Sequence, residues 1–150
     1  MTAHENRGLE VDEDDPIGIA LDMLNFAQAN ISKHKVGACL LARNAEGKLK
    51  YFGGCNIEYS VGSKDNIHAE VNALNRAITE GYRTPLACWV TSTNTTQRAA
   101  MCGFCMQAYC YVNEKCQIIV VNLDRSIKFE VSVEQRNGEW GYHSKGQIDP

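Results

Sequence analysis

Two short stretches carry residue types that could do chemistry together: His68-Ala69-Glu70 and Cys102-Gly103-Phe104-Cys105. Cysteines at i and i+3 share a helix face, so both sulfurs can reach one ion. His68 adds a third donor from a second helix. Three protein ligands leave a tetrahedral zinc with one open position, the arrangement of a catalytic site. Zinc held this way brings the pKa of a bound water down towards neutrality. Glu70 is then the candidate acid and base. Along a regular helix residues i and i+2 point about 200° apart, so His68 and Glu70 converge only at the N-terminal end of a helix. Asp65-Asn66 supply caps that would place them there. If both motifs open helices, two positive dipole ends face the metal and favour thiolate and hydroxide.

The same residues have plainer readings. Cys-x-x-Cys alone resembles a redox dithiol, but a dithiol has no use for His-x-Glu at another helix start. A closed structural zinc needs a fourth ligand, for which Cys110 and Cys116 are available at irregular spacing. A lone histidine is more often a satisfied surface or core residue. Both motifs within one α/β order favour the catalytic zinc, one per chain.

The elements that must position these residues follow from pattern. Asp15-Pro16 opens a helix, and Ile17, Ala20, Leu21, Leu24, Ala27 and Ile31 continue its apolar stripe. Residues 36–43 and 48–57 read as a hairpin, with Gly53-Gly54 marking a bulge or a close backbone approach. A second helix carries Ile67, Val71, Leu74 and Ile78 inwards and ends at Gly81. Residues 86–93 form a third strand, a third helix runs from near Cys102 to about Asn113, and 117–123 and 127–133 are the last two strands. Helix-bearing connections on either side of strand three imply parallel pairing there. The link Asp124-Arg125-Ser126 is too short for a crossover, so the last two strands are antiparallel. The expected fold is α/β: three layers, helix/sheet/helix, around a mixed five-stranded sheet. Residues 1–14 are expected to be flexible, 15–150 to form a single domain, and the tail from Asn137 to be loop.

Composition narrows the partners. With 44% hydrophobic and 22% charged residues, 150 residues suffice for one soluble domain with its own core. No apolar run is long enough to span a bilayer, and the acidic, polar N-terminus is neither a secretory nor a transit signal, so a cytoplasmic protein is expected. The net charge is −3 with no Lys/Arg cluster, which disfavours a nucleic acid polymer and suits a small, nearly neutral ligand. Seven cysteines, an odd number with no export signal in a domain large enough to fold without cross-links, argue against a disulfide framework; Cys39, Cys55 and Cys88 read as core fillers.

His-x-Glu followed by Cys-x-x-Cys is the zinc deaminase signature. From about Ser32 to Val133 the chain resembles the cytidine deaminase family, including Val36-Gly37-Ala38 and Gly54-Cys55-Asn56-Ile57-Glu58. The hairpin of the last two strands resembles the free-nucleoside branch, since polynucleotide deaminases place a helix there. The resemblance implies hydrolytic deamination of cytidine or deoxycytidine, a pyrimidine salvage step. It further implies Asn56 and Glu58 on the ribose hydroxyls, backbone near Ala69 and Cys102 against the base, and a homo-oligomer, tetramer or dimer. Four features depart from the pattern: Met101 replaces a proline, Met106 an arginine, and His34-Lys35 the aromatic residue near the sugar. The C-terminal leucine-proline-aromatic segment is absent. A histidine at position 34 is also similar to blasticidin deaminase, so a modified or N4-substituted cytosine nucleoside is the alternative substrate, with Met101, Phe104 and Met106 as candidate pocket walls. The non-enzymatic alternative is a silent zinc-binding assembly module, in which Glu70 would have no purpose.

Overall fold

The computed structural model describes residues 14–59, 66–94 and 103–135, the side chains of residues 103, 104, 106 and 107 excepted. Segment 1–14 is therefore outside the described residues up to residue 13, as is the tail after Gln135. The elements are α1 (Pro16–Met23), β1 (Val36–Arg43), β2 (Leu49–Cys55), α2 (Ala69–Thr79), β3 (Thr84–Ser92), α3 (Gly103–Asn113), β4 (Gln117–Val121) and β5 (Ile127–Ser132). The strands make one mixed sheet in the order β2-β1-β3-β4-β5.

Alternation along a strand sends neighbouring residues to opposite faces, and Gly53-Gly54 shows which helix covers each. A Cβ on Gly53 would lie 2.7 Å from the Met23 sulfur of α1. One on Gly54 would lie 2.2 Å from the Ala69 carbonyl oxygen and 2.6 Å from the Ala73 nitrogen of α2. The glycine pair is thus a close approach on both faces, with α1 on one side and α2 on the other. Side chains of α3 join those of α2 in one core with Leu40, Phe52, Val90, Ile118 and Val120. These five are at most 2% exposed, and each contributes about 1.5–3 kcal/mol through burial. Cys39, Cys55 and Cys88 are also buried, as their apolar context suggests.

Gly54→Ala is expected to push the start of α2 off the sheet and to destabilise the fold by about 2–3 kcal/mol, as overpacking against backbone does. Urea unfolding measures this; an unchanged midpoint would contradict the close approach.

Three local expectations need correction. Strand three is parallel to β4 but antiparallel to β1, because the β2-to-β3 crossover passes over β1 to reach a strand running the same way as β2. The antiparallel β4–β5 pair is as expected. Helix α1 stops at Met23 although apolar spacing runs on to Ile31, which is 46% exposed. The chain tightens into i to i−3 turns over Leu24–Ala27, and Gln28 then donates to the Asn56 carbonyl and accepts from the Glu58 N–H. A bridge to the end of β2 thus competes successfully with further helix. Finally, α2 is not capped by Asn66. Ile57 and Ile67 exchange backbone hydrogen bonds of 2.9 Å, which holds residue 67 extended and makes His68 the N-cap. Asn66 accepts from the Tyr59 N–H instead, and Asp65 lies outside the described residues. Gly81 ends α2 as expected, with φ of +89° after the C-cap Glu80.

Candidate active site

Helices α2 and α3 meet at their N-terminal ends. At the N-cap of α2, His68 has extended backbone (φ −83°, ψ 149°), while Glu70 already lies in the first turn. The change of backbone between them lets both side chains turn the same way. Cys105 is fully buried in the first turn of α3, and Glu70 is only 6% exposed. His68 Nδ1 lies 3.3 Å from Cys105 Sγ, and Glu70 Oε2 lies 3.9 Å from the same sulfur. Three of the four residues singled out for chemistry thus converge. Cys102 and Met101 lie outside the described residues, as do the side chains of Phe104 and Met106.

This spacing fits a zinc ion. Ligands at Zn–S of about 2.3 Å and Zn–N of about 2.0 Å in a tetrahedron stand roughly 3.5 Å apart, close to the observed sulfur-to-nitrogen distance. Among the described residues no three metal-binding side chains cluster, and Cys102, expected as the third ligand, lies outside them. Cys116 is a poor fourth ligand. It lies beyond the far end of α3, whose run from Cys105 to Asn113 alone rises about 12 Å, and burial pushes its thiol up to about 12. Cys110 is five residues from Cys105, about 140° around the helix.

Glu70 is gripped from behind as well. The buried Tyr109 hydroxyl of α3 donates to the Glu70 backbone carbonyl at 2.7 Å, and Cys88 Sγ of β3 lies 3.6 Å from the same hydroxyl. Sequence reasoning passed over Tyr109; its only signal was its position four residues after Cys105, on the same helix face. Asn72 Nδ2 donates to the Cys55 carbonyl at 3.0 Å, and Arg76 Nη1 to that of Gly53 at 2.6 Å, fastening α2 to β2.

The candidate sugar-side residues gather around the segment entering β1. Asn56 accepts from the Val36 N–H at 2.8 Å and donates to the His34 carbonyl at 2.8 Å. Glu58 accepts from the Ile31 and Ser32 N–H groups at 3.0 and 2.9 Å and from the Ser32 hydroxyl. These bonds hold the Glu58 carboxyl below the usual carboxylate range, the Ser32 hydroxyl contributing most. His34 Nε2 contacts the Ser92 hydroxyl at the end of β3. Ala69 is fully buried, its carbonyl against Gly54. Asn56 and Glu58 therefore brace residues 31–36, while each keeps spare hydrogen-bonding capacity for a ligand.

A cytidine deaminase from Burkholderia pseudomallei is similar in structure at a TM-score of 0.67 and 28% identity, covering 89% of this chain and 94% of that one. The chain has the cytidine deaminase fold. Cytidine deaminases from Mycobacterium tuberculosis and Mycobacterium leprae share the fold, with TM-scores of 0.60 and 0.61 at 21% and 17% identity. The first covers 83% of this chain and 93% of its own, the second 85% and 98%. No protein-family model and no curated protein sequence matches this deaminase-like chain. Among its described residues no helix is long and apolar enough to cross a membrane.

Proposed function

We propose that this chain catalyses the hydrolytic deamination of cytidine or deoxycytidine, giving uridine or deoxyuridine and ammonia. The observation that carries the reading is the meeting of His68 Nδ1 and Cys105 Sγ at 3.3 Å, with the Glu70 carboxylate 3.9 Å from that sulfur. His68, Cys102 and Cys105 would hold one zinc ion, whose chemistry is to make water a nucleophile at neutral pH. Two helix N-termini favour the thiolate form of these cysteines. Glu70 takes one proton from the attacking water and delivers it to N3 of the base. It then takes the remaining proton from the C4 hydroxyl and gives it to the amino group, which leaves as ammonia as the C4 carbonyl forms. Its burial keeps bulk water from short-circuiting these transfers. First-turn amides at Ala69 are available to the base, since the first N–H groups of a helix have no intrahelical acceptor. Asn56 and Glu58 bind the ribose hydroxyls with their remaining capacity, and His34 borders the sugar. The β4–β5 hairpin and the modest negative charge agree with a free nucleoside, and assembly into a dimer or tetramer belongs to the same proposal.

The test is a nucleoside panel read by ammonia release and product mass. Cytidine and deoxycytidine should turn over, and free cytosine poorly. Glu58→Ala should raise KM for cytidine by about tenfold, the scale of losing a charge-assisted hydrogen bond, with zinc retained and cytosine handling unchanged. Wild-type protein inert on every cytosine nucleoside would remove the proposed activity. Equal losses on cytosine and cytidine would take Glu58 away from the sugar.

A further inference from the structure

Helix α3 touches Glu70 at two points. One is Cys105 Sγ, 3.9 Å from the carboxylate; the other is the Tyr109 hydroxyl, 2.7 Å from the backbone carbonyl. Cys105 and Tyr109 are i and i+4 on α3, so one helix face addresses both ends of one residue. Tyr109 is fully buried. The same hydroxyl lies 3.6 Å from Cys88 Sγ. Burial pushes the phenol well above its ordinary range, which keeps the proton it donates to the Glu70 carbonyl. Cys88 lies in β3, paired with Leu40 of β1 and Ile118 of β4. The bonds therefore run from the middle of the sheet through α3 to the first turn of α2.

We infer that Tyr109 is a positioning residue for the reaction: its hydroxyl fixes the backbone of Glu70, and so sets the carboxylate relative to the metal ligand Cys105. This rests on the deaminase reading above. Packing alone would be met by phenylalanine, because the ring fills the core without the hydroxyl. The hydroxyl matters because a proton shuttle must serve more than one atom from one place, and misplacement by about an ångström can cost on the order of a hundredfold in rate.

The test is Tyr109→Phe in zinc-loaded protein. The expected result is a fall in kcat of about tenfold or more, with KM for cytidine within about twofold and zinc content unchanged. In a Glu70→Gln background the same substitution should have no further effect on kcat, because Tyr109 acts through that carboxylate. Amide exchange over Ala69–Ala73 should accelerate, while the rest of α2 keeps its protection. Unchanged kcat in Tyr109→Phe, or an equal loss in the Glu70→Gln background, would overturn the inference. Failure of the deaminase reading shows separately, as wild-type protein that releases no ammonia. Exchange then decides: unaltered protection of the first turn of α2 overturns the positioning role, and selective loss there supports it.

Discussion

Glu70→Gln is expected to leave zinc bound and the fold intact while cutting cytidine deamination by about three orders of magnitude. Glutamine has nearly the same shape and keeps the backbone carbonyl that Tyr109 holds, so the packing of this 6%-exposed residue survives. What is lost is a group able to take a proton from water and give it back to the base. General acid–base catalysis contributes roughly 10² to 10⁴, and this residue moves more than one proton per turnover. Elemental analysis, circular dichroism and ammonia release measured on the same preparation check all three parts. A loss below about tenfold would show that another group carries the protons.

Cys105→Ala is expected to remove most of the metal, from about one zinc per chain to almost none, and with it the activity. The fully buried Cys105 sulfur sits 3.3 Å from His68 Nδ1, so under the proposed assignment its loss leaves two ligands where three are needed. Since an ion that binds only the folded chain stabilises it, by about 4 kcal/mol at a thousand times Kd, the variant should also melt earlier. Wild type treated with a chelator should melt at the same temperature as the variant. Cys116→Ala is the control. Its thiol is a neutral core group, pushed up to about 12 by burial, and its removal should leave zinc in place. A Cys105→Ala protein with full zinc would refute the ligand assignment.

The meeting of His68, Glu70 and Cys105 was legible because the motifs that carry them are local. The need for His68 and Glu70 to converge pointed to a helix start, where the structure has them. What was not legible depended on contacts between distant segments. The apolar spacing out to Ile31 fits a helix, yet Gln28 bridges to Ile57 and ends it early. Nothing in residues 65–68 shows that Ile67 is tied to Ile57, so the cap was read too early. A crossover pattern tells that β2 and β3 run alike, but not that β1 lies between them. The role of Tyr109 was not legible, because its partner is a carbonyl 39 residues away.

The placement of β3 has a consequence for how the protein comes to be active. The hairpin of β1 and β2 forms from contacts close in sequence, whereas the parallel pairing of β3 with β4 must wait until the whole excursion from Ser92 to Gln117, α3 included, has closed. His68 and Cys105 lie on opposite sides of β3 in the chain, so the two halves of the candidate site are strangers until this non-local step is complete. A zinc ion held as proposed would then be captured only after this closure and would act as a latch across it, and a chain that has not made that closure could not keep the ion.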